Sequence, residues 1–153
     1  MIQYKIATTE DIAELMAIRL EMLREVNDLS KDYALSEEFC SYSREYFLNG
    51  NHTTVLVVDG DNEKPIGCTT LCYLEIMPTF SHPTGRRAHL MNVYTAPNYR
   101  GQGIARCMVE MLIEEARRRG ITEISLDATA SGRPLYKKAG FQDSEECMVL
   151  TLE

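Results

Sequence analysis

No long apolar run, no paired cysteines and no basic stripe occur in these 153 residues, and each absence removes a class of protein. The apolar runs are only a few residues long, far short of the ~20 that a membrane helix needs, so no membrane partner is expected. The first residues, MIQYKIATTE, lack a basic segment followed by an apolar run, and no secretory signal is expected there. Cys40, Cys68, Cys72, Cys107 and Cys147 form an odd set with no CxxC among them. That pattern argues against a disulfide framework or a metal site and for reduced thiols in a cytoplasmic protein. Sixteen basic residues against twenty-three acidic ones leave a net charge of −7. Polyanion binders carry a basic stripe, whereas the one run here, Arg117-Arg118-Arg119, ends a helical pattern where cations suit the macrodipole. No nucleic-acid partner is expected, and the acidic surface mildly favours a cationic substrate such as an amine.

What is present is enough for one core: 44% of the residues are apolar or aromatic, and no linker, repeat or low-complexity segment divides residues 1–153, which read as a single domain. Residues 2–8 alternate like a strand. A helix follows with Ile12, Leu15, Met16, Leu20 and Leu23 on one face and Thr8 or Thr9 as its N-cap. A second helix starts at Ser36 and ends at Asn49-Gly50, with Phe39, Tyr42 and Tyr46 as its apolar face. Residues 53–59 and 66–77 read as an antiparallel hairpin around GDNEKP, and 77–87 as a loop with two prolines. A strand over 88–95 stops before Pro97, and a helix over 103–119 stops at Gly120. The next strand, ITEISLDA, lies parallel to 88–95 because a crossover helix joins them. A short helix over 133–139 ends at Gly140, and CMVLTL is expected to close the sheet.

The most informative stretch is YRGQGIARCMVEMLIEEARRRG, where two glycines one residue apart stand at the start of a strongly periodic helix. A strand, a glycine turn and a helix N-terminus form an anion cradle. The first helical N–H groups have no partner inside the helix, and the dipole adds positive potential there. The same glycines also suit a tight turn that needs them for dihedral angles alone. A P-loop is excluded because GxxxxGK is absent, and a dinucleotide fingerprint fails because its third glycine is Arg106 here.

VYTAPNYRGQGIA resembles the acetyl-CoA-binding signature of the GNAT superfamily of N-acetyltransferases, carried by Arg100, Gly103 and Ala105. SGRPLYKKAGF, one helix and one strand later, is similar to that family's second motif, and the order of elements agrees over the whole chain. The resemblance implies an α/β (α+β) fold: a mixed sheet with antiparallel N-terminal strands, a parallel central pair and about four flanking helices. It implies transfer of an acetyl group from acetyl-CoA, a cosubstrate, to a primary amine of a small molecule or peptide. The amine attacks directly, without an acyl-enzyme. The CoA pyrophosphate would lie on Arg100, Gly101, Gln102, Gly103, Ile104, Ala105 and Arg106, and the pantetheine arm beside Val93, Tyr94 and Thr95. The family bulges that strand, and an N–H near Val93 or Tyr94 would polarise the thioester carbonyl.

Tyr136 corresponds to the family's general acid toward the departing sulfur. A phenol, with its pKa near 10, is a competent donor at neutral pH. Ser131 either touches the CoA arm or caps the short helix. Asn92 stands where relatives place a catalytic glutamate, so the candidate bases are Asp127, Glu75 and His89, and a water chain or an amine arriving already neutral would need none of them. The acceptor site implied by the resemblance is lined by residues 23–39 and 77–87, including Tyr33, Phe80 and His82; Arg86 and Arg87 would clamp an acidic group or simply be solvated, and Asn92 would border the acceptor. The resemblance also admits a homodimer. A non-catalytic CoA-binding sensor on the same fold and a nucleotide-binding module are the competing readings.

Overall fold

The computed structural model describes residues 1–152. Five strands form one sheet in sequential order: β1 (Ile2–Ile6), β2 (His52–Asp59), β3 (Lys64–Glu75), β4 (Arg86–Thr95) and β5 (Glu123–Leu126). Neighbours are antiparallel through β4, and β4 and β5 are parallel, as the intervening helix requires. The hairpin β2–β3 is the centre of the molecule. Thr53 to Val57 and Ile66 to Leu71 are buried without interruption, the pattern of strands covered on both faces.

Helix α1 (Ile12–Val26) packs on one face of the sheet and touches α2 (Glu37–Asn49). Its Leu15 and Ile18 join Leu56, Cys68 and Tyr94 in one apolar cluster. The chain enters α1 through a 3-10 turn, Thr9–Asp11, capped by Thr8; the Thr8 N–H in turn donates to Asp11 Oδ2 at 2.8 Å. Ser36 caps α2 by accepting from the Phe39 N–H at 3.1 Å. Tyr42 and Tyr46, read as part of the apolar face of α2, are exposed, and no α2 residue is fully buried.

Helix α3 (Ile104–Arg118) covers the opposite face. Met108, Val109 and Leu112 are wholly excluded from water among Val55, Val57, Ile66 and Leu71, each worth roughly 1.5–3 kcal/mol of transfer free energy. Helix α4 (Arg133–Ala139) follows β5, and its Tyr136 packs on the rim of this second cluster.

Strand ends shift by about two residues from the sequence reading, β1 closing at Ile6, β3 spanning Lys64–Glu75 and β5 Glu123–Leu126, and two further differences bear on the site. Strand β4 begins at Arg86, so Arg86 and Arg87 belong to the sheet and not to the preceding loop. Residues 147–152, expected as a closing strand, carry no secondary structure, and Met148, Val149, Leu150 and Leu152 are exposed. The alternation of CMVLTL is real, but a strand also needs a paired edge, and β5 is paired on its β4 side alone.

Candidate active site

The site is built where β4 leaves β5. The parallel ladder runs from Arg87 opposite Glu123 to Leu90 opposite Leu126 and then stops. Beyond it, Met91, Tyr94 and Thr95 stay paired with β3, and residues 91–95 have no neighbour on the other side. Within this segment the β3–β4 register slips: Cys68 faces Tyr94 while Thr70 faces Met91, leaving Asn92 and Val93 opposite Thr69. Asn92 adopts a left-handed backbone, φ 62°. This is a β-bulge, which kinks a strand and re-aims its polar groups. The Ala96 N–H donates to Ile66 O on the β3 side, so alternation turns the backbone groups of Val93 and Thr95 outward into the gap. Arg100 Nε meets Thr95 O there at 2.7 Å. The Thr95 hydroxyl oxygen is buried without a hydrogen-bond partner.

The bulge is held by polar contacts across the sheet. Arg19, on α1, donates from Nη1 to Asn92 Oδ1 at 3.0 Å. Asn92 Nδ2 and the Asn92 carbonyl each lie 3.5 Å from Cys68 Sγ. Burial pushes the Cys68 thiol up to about 12, so it is an inert apolar neighbour and not a nucleophile. The Tyr94 hydroxyl donates to Glu21 Oε2 at 3.0 Å; burial first and that hydrogen bond second raise its pKa above the ordinary phenol value.

Strand β4 leads through a second 3-10 turn, Pro97–Tyr99, to the glycine loop and the N-terminus of α3. Gly101 and Gly103 both have φ 80°, a conformation that costs an L-residue roughly 1–2 kcal/mol. Their need for glycine therefore begins with dihedral angle. Both also border open space: a Cβ added to either would have no atom within 4 Å. The α3 N-terminus has no side-chain cap, so its first N–H groups face that space unpartnered. Arg100 is committed elsewhere. It joins Thr95 O to Glu25 (2.5 Å) and covers the Tyr94 ring, tying the loop to β4 and α1. Arg106 pairs with Glu110 one turn on at 2.9 Å, and Gln102 is exposed beside the loop. Ile104 is buried in the core, so only its backbone faces the loop, and Ala105 is partly buried beside it.

Tyr136 approaches from α4. Its ring is half-buried against Phe141, edge to face at 6.0 Å, and burial raises the pKa of its hydroxyl. Ser131 does not cap α4. Its hydroxyl lies 3.3 Å from that of Thr129, and Thr129 accepts from the Gly132 N–H at 3.2 Å. Asp127 follows the last residue of β5, where the gap opens, with an exposed carboxylate 3.6 Å from His89 Nε2. His89 Nδ1 is 2.8 Å from Ser125 Oγ. Glu75, by contrast, faces Arg86 at the far end of β4.

Arg86 and Arg87 also lie at that far end, six and five residues before Asn92. Arg87 pairs with Glu123 at 3.2 Å and donates to Thr79, while Arg86 donates to Arg119 O. His82 is held between Glu123 and Thr122, both at 2.9 Å. Phe80 is fully exposed and Tyr33 half-exposed. Arg19, Glu21 and Glu25 were not singled out from the sequence. One signal was available for Arg19: it falls at the i+4 position from Leu15 and i+3 from Met16, inside the apolar stripe of α1.

Comparison with known proteins gives the same outline. The model of the acetyltransferase (GNAT) family matches residues 19–141. A predicted acetyltransferase from Clostridium acetobutylicum, solved with acetyl-CoA, superposes with a TM-score of 0.84 at 32% identity, covering 99% of this chain and 96% of that one. Thialysine N-epsilon-acetyltransferase of Mus musculus is 27% identical over 92% of this chain and 84% of its own length. Glucosamine 6-phosphate N-acetyltransferase of Trypanosoma brucei brucei is 33% identical over 52% of this chain, a match spanning about half of that protein (54%). With its bulged and splayed β4 leading into a glycine turn, the chain belongs to the acetyltransferase (GNAT) family and is an acyltransferase.

Proposed function

We propose that the protein transfers the acetyl group of acetyl-CoA to a primary amine of a small molecule or peptide, by direct attack within a ternary complex. The observation that carries this is the gap beside Met91–Thr95, open on the side away from β3 and continuous in the chain with the α3 N-terminus. The pantetheine arm pairs with the outward backbone of Val93 and Thr95 as a further strand would. The pyrophosphate rests over Gly101 and Gly103 against the N–H groups of residues 103–106, with Gln102 and Arg106 beside it. The side chain of Arg100 holds the loop in place. Tyr94 acts through its backbone, its hydroxyl being bound to Glu21.

The thioester carbonyl lies at the bulge, where the Val93 N–H stabilises the oxyanion that forms as the amine attacks. The acceptor reaches it as a free amine, its proton having passed to Asp127 with His89 beside it. The tetrahedral intermediate then collapses, the C–S bond breaks, Tyr136 protonates the CoA thiolate, and the proton shed by the new amide nitrogen restores the Tyr136 phenol through solvent. Ser131 lies beside α4 within the same segment and borders the arm.

The decisive test is free-thiol release from acetyl-CoA with polyamines, amino acids, aminoglycosides and peptides, run beside calorimetry with CoA. Amine-dependent thiol release is expected. CoA binding without release under any amine would instead support a sensor on the same fold. Stabilisation by ATP or NAD but not by CoA would support a nucleotide-binding module.

A further inference from the structure

Arg19 is a half-buried cation without an acid. Of its five donors, one is used within the chain, Nη1 to Asn92 Oδ1 at 3.0 Å, and its Cζ stands 5.4 Å from the centre of the Phe39 ring. Among the described residues it forms no ion pair, whereas Lys5 is neutralised by Asp11 at 2.7 Å, Arg100 by Glu25 at 2.5 Å and Arg87 by Glu123 at 3.2 Å. Glu21, two residues on, is engaged by the Tyr94 hydroxyl. Taking a charge out of water without a counter-charge is unfavourable, and a chain with net charge −7 has acids available. Burial already lowers the Arg19 pKa from the usual arginine value. Within the chain the charge is answered only by one amide oxygen and one aromatic face.

Its position says what the missing partner is. Arg19 reaches the bulge from the face covered by α1 and α2, through Asn92, whose neighbour Val93 turns its backbone into the gap. The cradle for the CoA phosphates is formed by the N-terminus of α3, on the opposite face of the sheet. A molecule meeting Arg19 is therefore the acceptor. The planar guanidinium fork matches a carboxylate in two parallel hydrogen bonds. One unpaired positive charge balances one carboxylate, whereas a phosphate monoester carries nearly two charges, and Arg100, the arginine over the Tyr94 ring, is already paired.

We propose that Arg19 is the carboxylate-binding group of the acceptor site, so that the acceptor is an amine bearing a carboxylate: an amino acid or a close analogue. Phe39 flanks the fork and limits its rotation, and Asn92 fixes its register against the reacting centre. The inference rests on the transferase reading above and names the substrate class for that site.

The test compares amino acids with their amides, and 5-aminopentanoate with pentylamine, as acceptors for the wild type, Arg19→Gln and Arg19→Lys. Thiol release is read together with calorimetric CoA affinity and melting temperature. The wild type is expected to prefer the acids by roughly 10–100-fold in kcat/KM, chiefly through KM, as a charge-assisted pair predicts. Arg19→Gln should abolish that preference while leaving CoA affinity unchanged, and Arg19→Lys should restore part of it. Equal use of acid and amide by the wild type, a preference that survives in Arg19→Gln, or a preference for glucosamine 6-phosphate would each overturn the assignment and leave the transferase reading intact. Should no amine of this set or of the wider panel release thiol, the transferase reading fails. The clamp is then decided by calorimetric binding of the same acids to the CoA-loaded wild type and to Arg19→Gln, equal binding overturning it.

Discussion

Tyr136 illustrates how one environment serves both packing and chemistry. Burial holds its hydroxyl in the protonated form, so a proton is available across the neutral and mildly basic range. The ring also packs against Phe141 and the rim of the main core. Tyr136→Phe keeps the ring and deletes the donor, so melting temperature and acetyl-CoA affinity should hold. We expect kcat to fall by about 10²-fold, the low end for a lost general acid because a thiolate leaves tolerably unassisted, or roughly 2.7 kcal/mol at ~1.36 per decade. The sign of the pH effect follows. The raised phenol pKa means that wild-type kcat should not decline through loss of this proton until pH exceeds the ordinary phenol value near 10. Steady-state kinetics from neutral to basic pH checks both statements, and a variant retaining half its kcat would return Tyr136 to packing alone. Gly103 makes a second residue-scale case. Its φ of 80° means that Gly103→Ala should destabilise the fold by roughly 1–2 kcal/mol and also place a methyl group over the open cradle. Calorimetry with CoA and a melting curve separate these two effects: a turn-only role predicts the stability loss with CoA affinity unchanged.

Among the elements, the entry to α1 is the clearest local device. Asp11 is nearly inaccessible to solvent. Burial opposes its ionisation, but Lys5 Nζ at 2.7 Å, the Thr8 N–H at 2.8 Å and the Thr8 hydroxyl outweigh it and hold the carboxyl below the usual carboxylate range. A lowered folded-state pKa contributes stability above the unfolded value near 3.9, and that contribution is lost as pH falls through the folded value. Asp11→Asn should therefore flatten the acid limb of the stability curve and cost about 1 kcal/mol near neutrality, measurable by denaturant melts between pH 3 and 7. A limb as steep as that of the wild type would assign the acid sensitivity to another carboxylate. This cap was legible in TTEDIAEL, as were α3, its glycine turn and the parallel β4–β5 pair, because each is written in residues close together in the chain. The strand expected from CMVLTL was not, since alternation describes a surface and not the partner that pairs with it. The starting point of β4 escaped for a similar reason: Arg86 and Arg87 look like loop residues until Glu75 and Glu123 are brought beside them. Arg19 depends on Asn92, 73 positions away, and only the interruption of an apolar stripe by a charge hinted at it.

On the scale of the whole molecule, protection should be graded from the centre of the sheet outward. The β2–β3 hairpin is buried on both faces, between α1 and α3, while β5 is short, paired on one side, and followed by exposed apolar residues at 148–150 and 152. Amide hydrogen exchange resolves such gradients, because elements with few buried contacts open at low free energy and central strands open only with global unfolding. Amides of Val55, Leu56, Val57, Cys68 and Leu71 should exchange slowest, and those of 147–152 close to the unprotected rate. Slow exchange across 147–152 would mean that the segment pairs as a strand in solution, as its alternation suggests. CoA should then redistribute protection along one path. If the pantetheine arm pairs with β4 and the pyrophosphate sits on the α3 N-terminus, the Val93, Thr95, Ile104 and Ala105 amides should slow by an order of magnitude or more at saturating ligand. A bound group adds RT ln(1 + [L]/Kd) to the opening free energy, about 2.7 kcal/mol at a hundredfold excess over Kd. Arg86 and Arg87, at the far end of the same strand, should not respond. Protection appearing there, with Val93 and Ile104 unchanged, would move the CoA site away from the gap and remove the basis for both the proposed chemistry and the placement of its acceptor.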